Sequence, residues 1–161
     1  MKPQIMHSAK RAGQRGSMLL EGLIAILLFS VGILALMGLQ AVAIRTTGDA
    51  KYRAEAAFLA NQIIGQMFVD NPATLAGYAH NATTGVGNCQ FSGTASANAN
   101  VTAWLGDAAT LGTVRGSLPG ATSALQQIIV GANNLVTVTI CWKGPQEATP
   151  HQHVAVTQIN G

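Results

Sequence analysis

The sequence predicts an α+β fold, with one long N-terminal helix followed by a head that ends in a small antiparallel sheet. Three observations carry this expectation. From Gly22 to Leu39, Ser30 is the only polar side chain, so this helix is apolar all round. From Tyr52 to Phe68, apolar residues return every three or four positions, the period of a helix with one buried face. Beyond Ile128 the period falls to two, the alternation of strands.

The 161 residues amount to one domain and little more, too little for a multidomain enzyme. Charged residues make up 9% and apolar residues 48%, a balance that excludes a charge-rich disordered chain and a strongly basic nucleic-acid binder. The net charge of +3 is unevenly placed. Lys2, Lys10, Arg11 and Arg15 stand in a leader, residues 1–16, that contains no acid; the other five basic residues face six acids.

The apolar stretch that follows is eighteen residues long, about 27 Å as a helix and close to the ~30 Å hydrocarbon core of a bilayer. It is too long for the apolar region of an ordinary secretory signal, and no A-x-A-like cut follows it. A transmembrane part over about residues 18–40 is expected, with the basic end in the cytoplasm and the head outside it. Glu21 interrupts the pattern, because a carboxylate costs about 2.5–3.5 kcal/mol at the centre of a span and less near its edge. Snorkelling to the headgroups is one account of it.

The helix is expected to run on without a break. Tyr52, Ala56, Leu59, Ala60, Ile63, Ile64, Met67 and Phe68 mark one face, and Asn71-Pro72 stops it. The long helix is thus 17–71 and the head 72–161. Residues 73–99, rich in Ala, Gly, Asn, Thr and Ser, read as a loop. A short helical pattern from Val101 to Leu118 follows, with Asn100 as N-cap and Pro119-Gly120 as stop. Then come three strands. Ile128–Val130 is an apolar run and 131–134 a turn. Val136, Val138, Ile140 and Trp142 form one strand face, and Val154 and Val156 mark the last alternating segment.

Cys89 and Cys141 are the two cysteines. In a segment outside the cytoplasm an even pair favours a disulfide, closing a loop worth a few kcal/mol; two buried free thiols are the alternative. No CxxC spacing suggests zinc or redox chemistry. His151 and His153 alternate on one strand face, and no metal is expected of them. Asn81-Ala82-Thr83 and Asn100-Val101-Thr102 are glycosylation-type triplets of a kind that arises by chance in Asn/Thr-rich loops. Asp70, Asp107 and Glu147 are too scattered for a paired-carboxylate site. Neither catalysis nor a cofactor is expected.

One junction is more specific. Gly16 is followed by Ser17, Met18, Leu19, Leu20 and Glu21, with a basic leader before it and the apolar helix after it. This arrangement resembles the prepilin signal of type IV pilins. The stretch LLEGLIAILLFSVGILALMGLQAVAI (Leu19–Ile44) and the block ANQIIGQMFVDNPATLAGY (Ala60–Tyr78) are similar to the PilV group of minor pilins, the type IV pilus modification proteins.

The resemblance implies the ladle-shaped pilin fold, in which the long helix packs on the sheet of the head. It also implies cleavage between Gly16 and Ser17 by a prepilin peptidase and N-methylation of Ser17. Many pilins carry phenylalanine at that place, where this chain has serine. Glu21 would then pair with the N-terminal amine of a neighbouring subunit during assembly. The partners implied are major and minor pilins, an inner-membrane assembly platform and the lipid bilayer, with no nucleic acid. The head would be periplasmic until the subunit enters a surface pilus, where it primes or modulates assembly. A minor pseudopilin of a type II secretion system shares the signal and the helix, and is the alternative. A membrane-anchored binding or enzymatic domain with an accidental Glu21 is a third reading.

Overall fold

The computed structural model describes residues 15–83, 89–145 and 147–159, with side chains from Ser17 onward. The leader expected at 1–16 lies outside the described residues except for the backbone of Arg15 and Gly16. The first helix, α1, runs Arg15–Val69. The chain divides into two compact units, Met1–Thr46 and Thr47–Gly161. The second half of α1 therefore belongs to the same unit as the head.

In the first unit, every side chain from Ser17 to Thr46 is exposed. The helix contains an 18-residue stretch of mean hydropathy 2.6, long and apolar enough to cross a membrane. Two of its hydroxyls turn back on their own backbone. Ser30 Oγ donates to the Ile26 carbonyl at 2.7 Å, and Thr46 Oγ1 donates to the Val42 and Ala43 carbonyls at 3.2 and 3.0 Å. Such i−3 and i−4 bonds let a polar residue sit in an apolar helix without an unpaired donor.

In the second unit, α1 buries Ala56, Leu59, Ala60, Ile63, Ile64 and Met67, the expected stripe. Phe68 departs from it and is half exposed. One residue past Met67 it turns about 100° away from the buried centre. The sheet order is β1-β2-β3, antiparallel throughout, with β1 at Gln126–Val130, β2 at Leu135–Trp142 and β3 at His151–Gln158. Val136, Val138, Ile140 and Trp142 are buried, and with Ile128 they share one core with the helix stripe. The long helix packed on a small three-stranded antiparallel sheet is the α+β architecture expected from the sequence.

Four details differ. Val154 and Val156 are 46% and 59% exposed, while Ala155 between them packs on the core. Val154 pairs with Thr139 and Val156 with Thr137, so the two-residue period places both valines on the threonine face. The single helix expected over 101–118 is two, α2 at Ala99–Leu105 and α3 at Val114–Ser117. Gly106 separates them with φ +57°, and a Cβ there would run into Thr113, so glycine is needed at this place. The N-cap of α2 is Asn98, which accepts from the Asn100 N–H at 2.8 Å. Residues Pro72–Tyr78, read as loop, form a 3-10 helix capped by Asn71 and burying Leu75 and Tyr78.

Candidate functional site

The junction residues lie at the start of α1. Gly16 and Ser17 are in its first turn, which holds no acidic residue, and Glu21 is one turn on. Ser17, Leu20, Glu21, Ile24, Ala25 and Leu28 line one face of this helix. The i,i+4 spacing puts Ser17 and Glu21 on the same side. A cut after Gly16 would leave the new amine on the face that carries the carboxylate.

Cys89 and Cys141 are joined, with Cα atoms 5.9 Å apart. The bond ties the stretch that leads into Ser92, the bridge partner of Thr83, to the buried end of β2. Cys141 is held further by Gln126. The Gln126 amide donates to the Cys141 carbonyl, and its oxygen accepts the Cys141 N–H, each at 3.0 Å. Gln126 is wholly buried, so this two-sided pairing removes the cost of an unpaired amide. Sγ of Cys89 lies 3.6 Å from the His151 carbonyl; a disulfide sulfur has no proton to donate, so this is a packing contact.

Two histidines turn out to be organised. His80, which no sequence pattern singled out, is fully buried. Its Nδ1 accepts the Ser96 N–H at 3.1 Å, which leaves the proton on Nε2, 3.0 Å from the Ser123 carbonyl. Its backbone forms a two-way bridge with Ile128, at 3.0 and 2.9 Å, beside β1. It is a structural pin between the loop and the sheet, and a lone histidine in an Ala/Asn/Thr-rich segment gave no prior signal of it.

His151 opens β3. Its Nε2 lies 2.9 Å from Glu147 Oε1, and its ring stacks on Trp142 with centroids 5.7 Å apart. Glu147 Oε2 accepts the Gly144 N–H at 2.7 Å. The neighbouring His151, then the Gly144 N–H, hold the Glu147 carboxyl below its ordinary value. Asp49 of α1 completes the group, since one ligand-type atom from each of the three residues lies within 4.8 Å of the others. His153 is not part of it.

The other residues considered in the sequence are engaged structurally. The Asn81 amide donates to the Ser123 and Gln126 carbonyls, both at 3.0 Å, and the Asn100 amide donates to Tyr78 Oη at 2.6 Å. Both triplet asparagines therefore have their amide nitrogens in use. Asp107 accepts from the Ala109 N–H and the Thr110 hydroxyl, and Asp70 accepts from Tyr78 Oη at 2.7 Å. No family model, curated protein or solved structure matches the chain.

Proposed function

We propose that the chain is a minor pilin, a non-enzymatic structural subunit that is stored in the inner membrane through α1 and primes or modulates assembly of a type IV pilus. The observation that carries the reading is the junction: Gly16, Ser17 and Glu21 stand at the head of a wholly exposed apolar helix that continues as the core helix of the head. Cleavage after Gly16 would release a cationic amine one turn from Glu21, and a cation in reach offsets much of the cost of a carboxylate in lipid. The disulfide suits a head outside the cytoplasm.

Replacing Gly16 with a bulky residue tests the junction, because a peptidase must bring the backbone close at the cut. Intact-mass measurement of the membrane fraction should find the wild-type chain starting at Ser17, with or without a methyl group, and the variant uncut. Mature protein recovered from the variant refutes the assignment. Disrupting the gene separates pilus from secretion apparatus. Loss of surface pili is expected here, whereas intact pili with secreted enzymes trapped in the periplasm would mark a pseudopilin.

A further inference from the structure

We propose that Asp49, Glu147 and His151 form a binding site for a divalent transition-metal cation, which fastens α1 to the β2–β3 loop. The three residues come from far-apart parts of the sequence, and the fold brings one imidazole nitrogen and two carboxylate oxygens within 4.8 Å of one another. Ligands sharing one such ion stand about 2.0–2.2 Å from it, so their mutual distances are about 3–4 Å. The His151–Glu147 separation of 2.9 Å is already at that scale. Asp49 is the exposed member, so it has room for the small remaining movement.

Two of the three side chains are oriented from behind. Glu147 spends Oε2 on the Gly144 N–H, leaving Oε1 turned to His151. The His151 ring is held against Trp142, and its backbone lies against the disulfide sulfur of Cys89. Ligands fixed by outer contacts lose less freedom when an ion binds. The donor set fixes the class of ion. An imidazole with two carboxylates suits zinc and its first-row neighbours, whereas calcium and magnesium prefer oxygen alone. Three protein ligands leave a position for water. The half-buried Glu147 and His151 carry no net positive charge when the imidazole is neutral, and a dication neutralises both carboxylates at once.

Zinc chloride is the probe, with the full-length chain in detergent micelles and a competing chromophoric chelator to read free zinc. One zinc per chain is expected. His151→Gln and Asp49→Asn should each weaken binding about tenfold or more, since each removes one of three ligands. His153→Gln, two residues along the same strand face, should leave it unchanged. Circular dichroism melts of each variant establish that the head is folded, and cobalt loading adds an absorption band that the His151 variant should lack. Absence of stoichiometric zinc on the wild-type chain overturns the proposal, as does binding at the wild-type affinity by the Asp49 or the His151 variant. Loss of binding in His153→Gln places the ion elsewhere and overturns it too.

Discussion

Asp70 sits just past the last residue of α1, where the helix carbonyls make a carboxylate unwelcome. Three donors offset this. Tyr78 Oη donates to Oδ2 at 2.7 Å and the Asn71 N–H to Oδ1 at 2.8 Å, with a smaller contribution from Thr74. The Tyr78 hydroxyl first, then Asn71, hold this carboxyl below its ordinary 3.8. Burial first, and then Asp70, push the Tyr78 phenol up. The sign for stability follows from linkage. An aspartate whose folded value lies below its unfolded one contributes in full above about pH 4, and loses that contribution as the pH falls through the folded value. Asp107, held down by Thr110 and then Ala109, and Glu147, held down by His151 and then Gly144, act with the same sign. The melting temperature of the chain in detergent should therefore fall as the pH drops below about 4. Asp70→Asn keeps an acceptor for Tyr78 but cannot titrate, so it should flatten part of that slope. Melts from neutral to acid pH decide the point, and an unchanged slope in the variant rules out Asp70 as a contributor.

At the scale of elements, the disulfide joins an otherwise irregular stretch to β2, across a separation of 52 residues. A cross-link of that span removes unfolded-state freedom worth about 2–4 kcal/mol. Replacing Cys89 and Cys141 together with serine should lower head stability by about that amount, read as a shift of the denaturant midpoint with the slope nearly unchanged. Alkylation of the wild-type chain followed by mass measurement should label neither thiol until a reductant is added, and full labelling beforehand contradicts the bond. The pair was legible in the sequence because it rests on a count and a compartment. The helix stripe from Ala56 to Met67 was legible because period and burial agree. Other elements were not. Val154 and Val156 look like core by their apolar character, yet register with Thr139 and Thr137 decides their face, and register is a property of the pairing. Gly106 falls inside the helical pattern over 101–118, but the approach of Thr113 and a positive φ make it a break. The Asp49–Glu147–His151 group had no local spacing to reveal it, because one member arrives from α1 only when the core closes. His80 is the same case, its ring partners lying at Ser96 and Ser123.

For the whole molecule, stability and the proposed function pull Glu21 in opposite directions. Lipid favours its removal, since replacing a carboxylate near the edge of an apolar span eases insertion by up to about 3 kcal/mol. Among the described residues, the core of the head is built from the second unit alone, and Glu21 is no part of it. A chain with Glu21→Leu should therefore be made, cut after Gly16 and stored in the membrane at wild-type levels. The proposed assembly role requires the reverse outcome in the filament, where the variant lacks a partner for the neighbouring N-terminal amine. Cell fractionation should find normal amounts of mature protein in the inner membrane, and sheared surface filaments should lack it. Glu21→Lys, which meets the amine with like charge, should enter filaments least of all. Ser17 and Glu21 share one helix face, so the same carboxylate can also hold the amine of its own chain before assembly. That internal pair does not rescue the variant, since it too is lost with leucine. Filaments that carry the leucine variant at the wild-type level would leave Glu21 as a snorkelling carboxylate at the edge of the span, and the register of the subunit would have to come from the helix faces alone.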